Sequence, residues 1–164
     1  MRGRNLFTKR TVQLVSSLPD QREMKLPCVE TAQEAMNDQF FGWCRNGDLA
    51  AIKENRRHNS DIDQRTPEGW TGLVLACFHE HPDVAAYLVA EGADVNATNA
   101  KGTTVFMYAK TPVIASGDPA LLDFLLEKGA DINAKDKFGK TALDYVREKE
   151  VDWLVAWLES RGAV

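Results

Sequence analysis

The chain has little of what would mark it as secreted, membrane-spanning or nucleic-acid binding. Its three cysteines, Cys28, Cys44 and Cys77, form a small, odd set that gives no disulfide framework. Basic residues are outnumbered, 20 Lys and Arg against 24 Asp and Glu, for a net charge of −4. A nucleic-acid binder would present a basic face instead. No apolar run approaches the ~18 residues a membrane span needs. A Gly-rich phosphate loop and paired-Cys zinc knuckles are both missing, so no cofactor or metal is expected. Against these absences, 44% of the 164 residues are hydrophobic and 27% charged, which suits one folded domain, or one domain plus a tail.

The start differs from the rest. Arg2, Arg4, Lys9 and Arg10 precede the first acid, Asp20, with Leu6, Phe7, Val12, Leu14 and Val15 interspersed. No apolar core there is long enough for a secretory signal. Residues 1–28 read as a basic N-terminal extension, disordered or lying as a short helix on the first folded unit. An organellar presequence is the alternative. Ser17-Leu18-Pro19-Asp20 and Leu26-Pro27 act as breakers.

The remainder of the chain repeats. Gly92-Ala93-Asp94-Val95-Asn96-Ala97 returns as Gly129-Ala130-Asp131-Ile132-Asn133-Ala134. Loops with Gly and Thr recur as Gly69-Trp70-Thr71, Gly102-Thr103-Thr104 and Gly139-Lys140-Thr141, spaced 33 and then 37 residues apart. A fixed period near 33 marks a repeat protein, whose units bury their apolar faces only by stacking. Extended backwards, the frame places Phe40 on Leu73, Cys44 on Cys77, Ile52 on Ala85, and Asn59-Ser60-Asp61-Ile62-Asp63 on the first Gly-Ala-Asp phrase. Cys44 and Cys77 thus sit on neighbouring helices. Helix axes ~8–10 Å apart exceed the ~7 Å Cα separation a disulfide needs, so both read as reduced core thiols in a reducing compartment.

Periodicity predicts two helices per unit. Thr71 caps the first helix of the second unit, with Leu73, Ala76 and Cys77 on its apolar side. His81-Pro82 opens the second helix, Val84, Ala85, Leu88 and Val89 form its stripe, and Gly92 ends it. The next unit repeats this with Thr104, Phe106 and Ala109, then Asp118-Pro119, Leu121, Leu122, Leu125, Leu126 and Gly129. The last has Thr141, Leu143 and Val146, then Leu154, Val155, Leu158 and Gly162. Glu54-Asn55-Arg56 makes the first unit's second helix weakly apolar, and Glu159 gives the last unit a polar outer face, as terminal units require. Four extra residues fall between the helices of the third unit, within Thr111–Ser116. This segment reads as a loop whose Val113 and Ile114 fold back on a neighbouring turn, or alternatively as a recognition loop.

These residues resemble ankyrin repeats. The match covers about Ala32 to Val164 in four units, near 32–65, 66–98, 99–135 and 136–164, within a repeat domain spanning 29–164. The family favours Thr-Pro-Leu-His at the first helix, where this chain has Thr71-Gly72-Leu73-Val74, Thr104-Val105-Phe106-Met107 and Thr141-Ala142-Leu143-Asp144. The loss of Pro and His is expected to weaken the helix starts. The resemblance implies an all-α solenoid of helix-turn-helix units with projecting β-turn fingers. It also implies non-catalytic binding of a partner protein through a concave strip of finger tips and first helices. Carried over by position, that strip holds Arg45 and Asn46, then Pro67, Glu68, Trp70, Phe78 and His79. It continues with Ala100, Lys101 and Thr103, then Lys137, Phe138, Lys140, Glu148 and Lys149. Trp70, Phe78 and Phe138 are the expected anchors, since exposed aromatics are common hot spots. The competing expectation is that Trp70 and Phe138 only cover the finger bases. Lys101, Lys137 and Lys140 give the later fingers a basic rim suited to an acidic segment, although lysine is also the default on a solvated turn.

Two other functions compete with a scaffold or adaptor: an inhibitor or immunity-type protein that blocks one enzyme or toxin, and, more remotely, a cysteine-dependent enzyme built on Cys77 and His81. The repeat frame puts Cys77 in the core and His81 at a helix cap, so no catalytic residue is expected. His79 and His81, two apart, do not share a helix face for a metal. Asp94 and Asp131 recur because they serve each loop. Tyr87, Phe124 and Trp157 share one repeated position and are expected to pack between units. Trp153 has no aromatic equivalent and would either mediate self-association of an otherwise monomeric, cytoplasmic protein or fold over the end of the stack.

Overall fold

The backbone of the fingers is set by short polar residues that satisfy it locally. In the computed structural model, which describes residues 29–56 and 61–164, the same turn forms three times. The carboxylates of Asp61, Asp94 and Asp131 accept from the amides of Asp63, Asn96 and Asn133 at 3.0, 2.9 and 2.9 Å. The residue two places on then reaches the next unit. Asp63 accepts from the Asp94 amide at 3.0 Å. Asn96 accepts from the Asp131 amide at 2.8 Å and donates to the Gly129 carbonyl at 2.9 Å. Asn133 accepts from the Val164 amide at 2.9 Å and donates to the Gly162 carbonyl at 3.1 Å. The repeated phrase is therefore a hydrogen-bonded ladder across units, in which Asp shapes the turn and Asn or Asp joins the next rung. Ala93, Ala130 and Ala163 lie buried beneath it. Expectations for the extension 1–28, for Cys28 and for Asn59 fall outside the described residues.

Eight helices run in order among the described residues: α1 Val29–Asn46, α2 Leu49–Asn55, α3 Gly72–Phe78, α4 Pro82–Ala90, α5 Val105–Ser116, α6 Ala120–Glu127, α7 Ala142–Glu148 and α8 Asp152–Ser160. Among these residues no strand forms beyond two isolated bridges at the finger bases, Arg65 with Thr71 and Thr98 with Thr104. Within Ala35–Val164, α3 packs on α4 and α5, α5 on α6 and α7, and α7 on α8. The all-α stack of helical hairpins expected from the repeat is thus what forms. Its core is most of the predicted stripes: Leu73, Ala76, Cys77, Val84, Ala85, Leu88, Leu122, Leu125, Leu143, Val146, Leu154 and Leu158 are fully buried, while Val89, Leu121, Leu126 and Val155 are only partly buried against them. Tyr87, Phe124 and Trp157 pack partly buried against it, as expected of their shared position.

The helix starts are firmer than their departure from Thr-Pro-Leu-His suggested. Thr71, Thr104 and Thr141 each accept from the third helical amide, of Val74, Met107 and Asp144, at 3.2–3.3 Å. Asp144 also returns a bond to the Thr141 amide at 2.8 Å, closing a capping box. Gly72 has a packing reason: a Cβ there would come within 2.8 Å of the Phe40 ring and 2.9 Å of the Cys44 sulfur.

One expectation is corrected. Thr111–Ser116 is not a loop folded back on a neighbour but the C-terminal half of α5, which runs 12 residues where α3 and α7 run 7. Pro112 sits inside it, donating no hydrogen bond. The helix persists because Pro112 and Val113 are buried by its own neighbours, and it stops at Gly117, whose φ of 76° is left-handed.

Candidate functional site

Three fingers and the four first helices, α1, α3, α5 and α7, carry the residues of the expected strip. The fingers close tightly: the Gly69 amide donates to the Thr66 carbonyl at 2.7 Å, Gly102 to Asn99 at 3.0 Å and Gly139 to Asp136 at 2.9 Å. Neighbouring fingers also touch. The Lys137 amide donates to the Lys101 carbonyl at 3.0 Å, which sets those two lysines side by side. A Cβ at Gly102 would meet the Lys137 amide at 3.2 Å, so glycine serves there for close approach as well as for its φ of 76°.

Trp70, Phe78 and His79 come together, joined by a residue that position-by-position reasoning missed. Tyr108 of α5 lies 5.3 Å from the Trp70 ring and 6.2 Å from the Phe78 ring, both edge-on. Trp70 and Phe78 are 6.2 Å apart, and His79 stands edge-on to Phe78 at 5.3 Å. Trp70 and Phe78 are half-buried and His79 is exposed, so the cluster bridges the core edge and solvent. Burial first, and then the charges of Arg45 and His81, hold His79 below its usual pKa and favour the neutral ring.

The third finger carries a second grouping. Asp136 is buried and accepts from the Phe138 amide at 2.9 Å, the Lys140 amide at 3.1 Å and the Tyr145 hydroxyl at 2.5 Å. Burial acts to raise its pKa, but the hydroxyl and the two amides outweigh it and hold the carboxylate below its usual range. The same bond, with burial, pushes Tyr145 up to about 12. Lys110 of α5 lies buried, donating to the Met107 carbonyl at 2.9 Å with its ammonium 4.9 Å from the Tyr145 ring centre. Burial, reinforced by the charge of Lys149, brings it down to about 8. Lys140 pairs with Glu148 at 2.5 Å and is thereby less free than a solvated rim lysine. Phe138 projects 71% exposed from this finger, so it does not cover the finger base.

Arg45, Pro67 and Glu68 gather at the other end around a recess of about 330 Å³, with Asp38 and Phe41 behind them. The remaining expected residues are not grouped in this way. Asn46 ends α1 in solvent, and the Thr103 amide is taken up by the Asn99 side chain at 3.0 Å. Tyr108 and Tyr145 each stand six residues after a finger glycine, Gly102 and Gly139, and that recurrence was the available signal for both. Nothing in the sequence announced that Lys110 is buried.

The Cys77 and His81 pair does not form a nucleophilic site. Cys77 is fully buried, and burial pushes its thiol up to about 12. The His81 ring is engaged elsewhere, with Nε2 2.9 Å from the Arg45 carbonyl. Trp153 lies 40% exposed on α8.

A family model of ankyrin repeats, in three copies, matches residues 40–136, more than half of the chain. Protein phosphatase 1 regulatory subunit 27 from Homo sapiens is 44% identical over 57 residues, covering 35% of this chain and 37% of that protein. Its counterpart from Mus musculus is 42% identical over 57 residues. Putative palmitoyltransferase ZDHHC13 from Danio rerio is 32% identical over 80 residues, 48% of this chain and 12% of that protein. The chain therefore spans little more than a third of the length of the first two relatives and far less of the third.

Proposed function

From the premise that this chain belongs to the ankyrin-repeat family, whose repeats mediate protein–protein interaction, we propose that it binds a partner protein without catalysis, through the face formed by the fingers and first helices. The observation that carries this reading is the joined ring cluster of Trp70, Phe78, Tyr108 and His79, together with the exposed Phe138 on the last finger. Aromatic rings held in place by packing lose little entropy on binding and make effective anchors. Lys101 and Lys137, set side by side, favour an acidic segment of the partner over Phe138. The stacked units present these groups on a preformed surface, which keeps the ordering cost low.

Regulation of an enzyme is the more specific form of this reading, with an adaptor as its competitor. It draws support from two relatives named as regulatory subunits of protein phosphatase 1. That phosphatase is accordingly the first partner to assay, by calorimetry and by its activity on a phosphopeptide. The comparison uses wild type, Phe138→Ala, and the Trp70→Ala, Phe138→Ala pair, each checked for native circular dichroism. A partner that loses about tenfold or more in affinity to Phe138→Ala alone supports the face. A change in phosphatase activity on binding favours the regulator, and binding without one favours the adaptor. The reading fails if every partner found by capture from cell extract binds both folded variants with unchanged affinity.

A further inference from the structure

The lengthened α5 overhangs a cavity at its C-terminal end. α3, α5 and α7 are all capped by Thr at the finger end, so the five additional residues of α5 extend its far end. At ~1.5 Å per residue, that end overreaches its neighbours by roughly 7 Å. Beneath the overhang lies a cavity of about 320 Å³. Its walls are Pro82 at the start of α4, Pro112 and Val113 on α5, and Leu121 and Phe124 on α6. Two charged residues line it, Glu80 and Asp118, and both are exposed carboxylates. Asp118 is held in orientation by accepting from the Ala120 amide at 3.0 Å. No Lys or Arg is among its lining residues, and the Lys128 ammonium stands 5.8 Å from the Phe124 ring centre. The cavity opens at the helix ends opposite the fingers, and none of the aromatic or lysine residues of the finger face lines it.

We propose that this cavity is a second docking site, which takes one apolar side chain of Leu or Phe size from a partner peptide with a basic residue beside it. The volume is at the lower end for ligand pockets, and the mainly apolar wall rewards removing such a side chain from water. The two lining carboxylates select the flanking charge: a Lys or Arg is drawn to Glu80 and Asp118, whereas an acidic neighbour is repelled. The site does not depend on the finger face, so a chain using both would hold two partners on opposite edges.

The test is an amide chemical-shift titration of the full ¹⁵N-labelled chain. The probes are blocked heptapeptides with a central Leu or Phe flanked by Arg, by Gln or by Glu. The expected result is shifts at Val113, Ala120 and Leu121, with Arg-flanked peptides binding about tenfold more tightly than Glu-flanked ones. Ala120→Trp, which fills the cavity from an exposed position, abolishes those shifts. The Glu80→Gln, Asp118→Asn pair keeps the apolar wall and brings the two peptide series within about twofold of each other. Phe138→Ala leaves the titration unchanged, which separates this site from the finger face. The proposal is overturned if no Arg-flanked peptide produces shifts at low-millimolar concentration. It is equally overturned if Glu-flanked peptides bind as well, or if the shifts survive in Ala120→Trp.

Discussion

The turn between the two helices of each unit needs one residue with positive φ, and the four units meet that need differently. Gly47 and Gly117 stand at 74° and 76°, whereas the equivalent Glu80 and Glu150 are held at 60° and 56°. Replacing Glu150 by Gly tests what this costs. The left-handed conformation disfavours an L-residue by about 1–2 kcal/mol. Glycine's greater freedom in the unfolded chain returns roughly 0.5–1 kcal/mol of that. The balance predicts a gain of about 0.5–1 kcal/mol, worth roughly 2–4 °C in Tm for a domain of this size. Glu150→Gln controls for the charge near the α8 N-terminus and is expected to change stability by less than about 0.3 kcal/mol. The reverse substitution, Gly117→Ala, meets no atom within 4 Å, so its cost, about 1 kcal/mol, is the backbone term alone. Equilibrium urea unfolding is the assay, followed both by far-ultraviolet circular dichroism and by tryptophan fluorescence, because stacked repeats lose two-state behaviour when units melt separately. A Glu150→Gly variant no more stable than Glu150→Gln, with coincident transitions, would refute the strain argument.

Three further outcomes are expected. Gly72→Ala forces a methyl against the buried Phe40 and Cys44 side chains and should cost about 1–3 kcal/mol, despite alanine's better helix propensity; a neutral result in urea titration would mean that α1 moves away freely. Asn96→Ala breaks two bonds between units and should cost about 1–2 kcal/mol; a neutral result in urea titration would contradict the ladder. Lys110, brought down to about 8, binds its proton more weakly folded than unfolded. Its contribution to stability is therefore present above the unfolded value near 10.4 and is lost as pH falls through about 8. Lys110→Met should accordingly be more stable than wild type at pH 7, by at most about 3 kcal/mol, with the difference shrinking between pH 8 and 10. A difference independent of pH over that window would show that the ammonium is not what the fold resists.

Sequence reasoning read best what the backbone arranges over short distances. The Asp-x-Asn turns, the Thr caps and the glycine helix stops are contacts between residues two to four apart, so their spacing in the chain is their geometry. The helical stripes were legible for the same reason: Leu73, Ala76 and Cys77 all lie fully buried as their spacing required. The finger face was legible only by position. Trp70 and Phe78 were singled out as separate exposed rings, but Tyr108 joins them, and it comes from a different unit.

The sequence by itself determined the repeat, the helix pairs and most of the buried stripes, because each follows from local periodicity and residue chemistry. Only the tertiary structure decided three things. Thr111–Ser116 read as a loop, yet α5 runs on to Ser116 because neighbouring helices bury Pro112 and Val113. Nothing in the chain's local pattern marks Lys110 as buried, yet stacking lays the Tyr145 ring of α7 against it. The cavity under α5 arises from a mismatch in length between adjacent helices, which exists only once they are packed side by side.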